Sequence, residues 1–156
     1  EIERSPRKRD IEAARDGGDI PVPSQDPTFG PWLAGEGGPG RRRIARLPED
    51  LTEAIAARVT AVQLSRQTAI KQGREHPELD IAAYDLVAPL LANGAAWRVA
   101  ENELAFMAQF DGKLWEAVVK ATGERGELFL KTFHISKRAR VRRLAEKGPR
   151  IRDGDL

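Results

Sequence analysis

Whatever proton transfer this chain performs near neutral pH falls to two histidines, because it contains no cysteine at all. His76 lies in Lys71-Gln72-Gly73-Arg74-Glu75-His76-Pro77-Glu78-Leu79, and His134 in Lys131-Thr132-Phe133-His134-Ile135-Ser136-Lys137-Arg138. An imidazole can take or give a proton at neutral pH, and flanking cations and hydroxyls can hold a phosphodiester. Metal-free cleavage of RNA needs little more. One group takes the proton of the ribose 2′-hydroxyl, another protonates the leaving oxygen, and cations stabilise the charged phosphorane. Each residue also has a plainer reading. His134 can be a strand-end residue bonded to backbone, His76 a junction residue before proline, and Lys71 and Arg74 solvated charges on one helix.

The residue types that are missing narrow the chemistry. Without cysteine there are no disulfides, thiolate nucleophiles, zinc fingers or iron–sulfur clusters. Two histidines cannot build a histidine-rich cage, and Asp80 and Asp85 have no third acid beside them, so no metal site and no cofactor are expected. Phosphate loops, dinucleotide fingerprints, nucleophile elbows and EF-hand loops are absent from the sequence. No run of 18 apolar residues could span a membrane, and with no basic n-region and apolar h-region at its start no signal peptide is expected. The first residue is Glu1, consistent with processing or with a piece of a longer polypeptide.

A net charge of +2 over 156 residues conceals an asymmetry. Lys131 to Arg152 holds nine basic residues and one acid, Glu146, a net charge of +8 that leaves −6 for the remainder. Such a tract points to a polyanion, nucleic acid first, unless it is a solvated helix end. Few aromatics accompany it, which leaves little to stack an unpaired base.

These groups must be positioned by the elements around them. Residues 1–46 contain seven of the 14 glycines and six of the 10 prolines, too little apolar surface for a domain. They read as an extended tail and partner-binding arm, anchored by Phe29, Pro31, Trp32 and Leu33. The folded part, 47–156, opens with a helix over about 49–60. Val62-Gln63-Leu64 closes it or forms a short strand. Ser65 caps a helix to Glu75, and a third helix runs from Pro77 to Ala92 with a kink at Pro89.

Alternation then replaces the helical period, giving strands over 96–101, 104–110, 113–122 and 127–135, with Asp111-Gly112 as a hairpin turn. In the last strand Leu128, Leu130, Thr132 and His134 share one face. Phe129, Lys131 and Phe133 share the other, with Lys131 behind the sheet unless a bulge re-aims it. Ser136 caps a final helix to Lys147. The predicted fold is α+β: N-terminal helices, a four-stranded antiparallel meander and a basic C-terminal helix, preceded by an extended Gly/Pro-rich tail.

Ser65-Arg66-Gln67-Thr68-Ala69-Ile70-Lys71, His76-Pro77-Glu78-Leu79 and Tyr84 resemble the opening motif of phage-encoded nuclease-like domains of the barnase–EndoU–colicin–RelE-like superfamily. Leu128-Phe129-Leu130-Lys131-Thr132-Phe133-His134 looks like their closing strand. The resemblance covers about residues 60–140. It implies a helix-plus-antiparallel-sheet fold, metal-independent RNA cleavage and an association with phage head-morphogenesis and portal proteins. By motif position it implies Lys71, His76, Lys131, Thr132 and His134 as functional residues, supported by Arg74, Ser136 and Arg138. Either histidine can be the base or the acid. Arg142 and Arg143 extend the expected nucleic-acid surface.

Three readings follow. The first is a phage- or prophage-derived ribonuclease-like domain, in a virion or a bacterial cytoplasm. The second is a non-enzymatic virion component whose residues 1–46 pack on phage structural proteins; an inhibitor protein could use the same arm. The third is a plain nucleic-acid-binding module built on residues 137–152.

Overall fold

A computed structural model describes residues 16–156, so residues 1–15 of the expected arm lie outside the described residues. Seven strands form one mixed sheet: β1 (Arg41–Arg46), β2 (Ala61–Ser65), β3 (Ala95–Ala100), β4 (Glu103–Phe110), β5 (Lys113–Ala121), β6 (Leu128–Ile135) and β7 (Arg150–Arg152). Their order is β1-β2-β6-β5-β4-β3-β7. All neighbours are antiparallel except β2 and β6, which are parallel. This corrects the expected four-stranded antiparallel meander. The four alternating segments do form neighbouring strands, but they lie within a larger sheet.

Nor is the segment before residue 47 an extended tail where it is described. After a 3₁₀ turn at Pro23–Gln25, helix α1 (Phe29–Leu33) buries Phe29 and Trp32 in the main core, and β1 becomes a sheet edge. Arg42 explains how so basic a strand is accommodated. Its guanidinium lies 5.6 Å from the Trp32 ring centroid and 5.8 Å from that of Phe29, and donates to Asp26 at 2.7 Å. Cation–π attraction and a carboxylate together satisfy a charge packed over the core.

Helix α2 (Glu49–Ala54) is shorter than expected. Helix α3 (Arg66–Glu75) starts as expected, with the Ser65 hydroxyl accepting from the Thr68 amide at 3.1 Å. The single kinked helix expected over 77–92 is instead two, α4 (Ile81–Tyr84) and α5 (Val87–Asn93). Asp80 caps α4 by accepting from the Ala83 amide at 2.8 Å. Helix α6 (Ala139–Lys147) begins later than expected, with no side-chain cap, because the Ser136 hydroxyl is engaged elsewhere.

The sheet is covered unequally. One face packs Ile44, Val62, Leu64, Leu104, Phe106, Ala117, Val119, Leu128, Leu130 and Phe133 against α1, α2, α4 and α5. On the other face α6 covers only the β3–β4 side, where Leu144 packs with Ala95, Trp97, Ala105, Met107 and Val118. Among the described residues no helix covers the β1–β2–β6 side of that face, where Asp16 accepts from the Thr60 and Ala61 amides and Arg43 donates to the Gly17 carbonyl.

Candidate functional site

Two irregularities in β6 build the site. The first is a bulge: Val118 pairs with Thr132 but Val119 with Leu130, leaving Lys131 as the extra residue. Extra residues reset the alternation of a strand. Leu128, Leu130, Phe133 and Ile135 therefore face the main core, whereas Phe129, Thr132 and His134 face the opposite side. The expected grouping of Leu128 and Leu130 with Thr132 and His134 is overturned for that reason. Lys131 is not behind the sheet either. Its Nζ donates to Glu103 Oε1 at 2.8 Å on that opposite side.

The second irregularity is where β2 leaves β6. The parallel pairing lasts only for Val62–Leu128 and Gln63–Phe129 before Ser65 turns the chain into α3. From there side chains replace a strand along the outer edge of β6. Gln72 Nε2 donates to the Lys131 carbonyl at 3.1 Å, and the Ile135 amide donates to Glu78 Oε2 at 3.3 Å. Such bonds matter because unpaired backbone groups are costly where water is excluded.

This docking brings His76, the residue that closes α3, onto His134. Their rings stack with centroids 4.7 Å apart and planes 14° from parallel. The Nδ1 of His134 is 2.9 Å from the Ile135 carbonyl, and Nδ1 of His76 is 3.7 Å from Glu78 Oε2. A carbonyl can only accept, so the Nδ1 of His134 is the donor in that contact. Among the described residues neither Nε2 has a hydrogen-bond partner.

Beside this pair lies a buried charge. Glu116, the direct cross-strand neighbour of His134, is 1% exposed. Its carboxylate accepts from Arg140 Nε at 3.0 and 3.1 Å and from the Ser136 hydroxyl at 3.0 Å. The triad ties the start of α6 to the sheet next to His134. The Thr132 hydroxyl and Gln72 Oε1 are buried with no hydrogen-bond partner among the described residues.

No family model matches the chain, and neither a curated protein nor a solved structure is significantly similar to it. The geometry alone sorts the candidates.

His76, His134 and Thr132 meet on or beside one strand. Lys71 and Arg74 are exposed on α3, with no partner among the described residues. Arg138 donates to the Leu156 carbonyl at 3.0 Å, and Ser136 serves Glu116. Arg142 and Arg143 are exposed on α6, whose apolar side runs along β3, away from β6. Part of the basic tract is thus structural. Arg140 holds Glu116, Arg150 pairs with Asp153 at 3.1 Å and lies 5.2 Å from the Trp97 ring, and Arg152 donates to the Gly94 and Leu91 carbonyls, both at 2.8 Å.

Glu78, Gln72, Glu116 and Arg140 are neighbours of the site that sequence reasoning missed. Only Glu78 carried a signal, being two residues from His76. Among the described residues no three His, Asp or Glu side chains gather as a metal site, and no helix is long and apolar enough to cross a membrane.

Proposed function

We propose that this chain is a metal-independent ribonuclease-like domain of phage or prophage origin, acting through His134 and His76. The stacked pair is the observation that carries the reading. Two imidazoles from separate elements, each with Nδ1 beside an oxygen and Nε2 unengaged, form an arrangement suited to paired proton transfer. The origin rests on the resemblance of the Ser65–Tyr84 and Leu128–His134 segments alone.

In such a reaction the attacking and leaving oxygens lie in line through phosphorus. Rings side by side along that line can each serve one oxygen. His134 Nε2 would take the proton of the 2′-hydroxyl, which attacks phosphorus. His76 would give its proton to the departing 5′-oxygen, with the Glu78 carboxylate beside the ring that carries it. The products are a 2′,3′-cyclic phosphate and a free 5′-hydroxyl. Lys71 and Arg74, exposed on α3, are the groups available to hold the phosphate.

The virion-scaffold reading drew on residues 1–46 needing an external partner. The described part of that segment packs on its own core instead.

The test is incubation of mixed-sequence RNA with wild-type and His134→Ala protein in EDTA, followed by end-group analysis. Cleavage to 2′,3′-cyclic ends is expected, with 2′-O-methyl RNA and DNA of the same sequence left intact. The variant should be about 10²–10⁴-fold slower. Cleavage that requires added Mg²⁺, or that cuts DNA equally, would overturn the mechanism.

A further inference from the structure

Among the described residues, the half of the second sheet face that no helix covers is unlike the rest of the surface. Cross-strand register sets Arg43 beside Gln63, Gln63 beside Phe129, Phe129 beside Lys120 and Lys120 beside Glu103. Phe129 is only partly buried there, although its strand neighbours Leu128 and Leu130 are at most 1% exposed. Arg41 holds its guanidinium 5.8 Å from the Phe129 ring centroid, and Lys131 stands on the same face. We infer that this face is a platform for single-stranded RNA. Phe129 would stack one base, and Arg41, Lys120 and Lys131 would face the phosphates.

Charge and exposure select this occupant. The side chains of Arg41 and Lys131 are 46% and 50% exposed in their pairs with Glu127 and Glu103, so those pairs are weak and a phosphate can take over the cation. Lys120 is exposed and has no partner among the described residues. A partly exposed aromatic among cations suits an unpaired base, because stacking on a ring requires the base to be out of a duplex. Room exists as well. A groove of about 580 Å³ adjoins Phe129, lined by Arg41, Ala61, Gln63 and Gly126, with the carboxylates of Asp16, Glu124 and Glu127 along it.

The platform also leads to the histidines. Phe129 and His134 lie on one face of β6, opposite Lys120 and Glu116 of β5. Four strand residues span about 13 Å at a rise of about 3.3 Å each, a distance an extended strand covers in a few nucleotides. The choice of RNA rests on the ribonuclease reading; the stacking and phosphate contacts do not.

The experiment is fluorescence anisotropy with a labelled, fully 2′-O-methylated single-stranded 12-mer, which binds without being cut. The proteins are wild type, Phe129→Leu, Phe129→Trp, Lys120→Gln with Lys131→Gln, and Arg142→Ala with Arg143→Ala, each titrated at several salt concentrations. Phe129→Leu should weaken binding on the order of 5- to 100-fold, and Phe129→Trp should restore it. The double lysine variant should flatten the salt slope by about 0.7 for each phosphate it no longer neutralises. The double arginine variant on α6 should change neither.

Failure of the wild type to bind, or binding insensitive to Phe129 and both lysines, overturns the platform. A slope set by Arg142 and Arg143 overturns it too. Should Phe129→Leu not fold, the tryptophan and lysine variants decide alone. If RNA is cut in EDTA while these variants bind normally, the platform falls and the nuclease reading stands. If they bind weakly while no RNA is ever cut, the nuclease reading falls and the platform stands.

Discussion

Glu116 and His134 face each other across β5 and β6 with opposite obligations. Glu116 is 1% exposed and, among the described residues, is the one carboxylate paired with Arg140, whose side chain is 28% exposed. Removing one partner of such a pair leaves the other charge poorly solvated, a loss that the partial exposure of Arg140 moderates. Glu116→Ala is therefore expected to cost about 2–3 kcal/mol, read from the urea midpoint. His134 is partly exposed and, among the described residues, hydrogen-bonds only to a carbonyl next to it in the chain, so His134→Ala should leave that midpoint almost unmoved. In catalysis the ranking reverses. Groups acting as one unit lose activity together, so His76→Ala, His134→Ala and the double variant should be slowed to a similar extent. Losses that multiply in the double variant would show that the rings act independently. The two histidines could be singled out from residue type, whereas Glu116 could not. An acid at an alternating strand position reads as solvent-facing, and only the docking of Arg140 and Ser136 shows otherwise.

Among the elements, those with local signals were legible in the sequence. The Ser65 cap, the Asp111-Gly112 turn and the period-two apolar pattern of β4 and β5 each depend on neighbours within a few residues. β1 and β7 depend on distant ones. Arg41-Arg42-Arg43-Ile44-Ala45-Arg46 has no apolar alternation, and it is a strand because Arg42 finds Asp26, Phe29 and Trp32 on one side while Arg41 finds Phe129 on the other. β7 pairs with β3 because the chain after α6 passes very close to it. A Cβ on Gly148 would lie 1.7 Å from the Arg98 carbonyl oxygen, and one on Gly154 would lie 2.2 Å from the Ala95 nitrogen. Neither obstacle is a side chain that can swing away. Gly148→Ala must therefore push β7 off β3, at about 1–3 kcal/mol for overpacking of this kind. The Arg98 amide, which donates to the Pro149 carbonyl at 3.0 Å, should lose hydrogen-exchange protection while the β4–β5 amides keep theirs. Unchanged protection at Arg98 would show that the close approach is not needed.

Across the whole molecule, the segment rich in glycine and proline closes the main core rather than trailing from it. Trp32 is 2% exposed, donates Nε1 to the Pro39 carbonyl at 2.5 Å and lies 5.1 Å from the Arg66 guanidinium. Trp32→Ala should cost about 3–5 kcal/mol, the range for a buried aromatic, in a single unfolding transition shared with the sheet. An early separate transition would mean that residues 20–40 fold apart from the rest. Composition misled here because it counts apolar residues without showing that two aromatics suffice to seat a loop. The same junction sets an acid limit on stability. The Asp26 carboxyl is held below its ordinary value of 3.8, first by the Thr28 hydroxyl and then by the Thr28 amide, with burial opposing and the Arg42 guanidinium adding the least. A carboxyl lowered by folding stabilises the folded state above its unfolded pKa, and that contribution disappears as pH falls through the lower folded value. Urea midpoints of the wild type and Asp26→Asn should therefore be well separated at pH 7. The gap should begin to narrow below about pH 4 and go on closing with further acidification. A gap that stays constant from pH 7 to pH 2 would assign the effect to shape and hydrogen bonding rather than to the charge of Asp26.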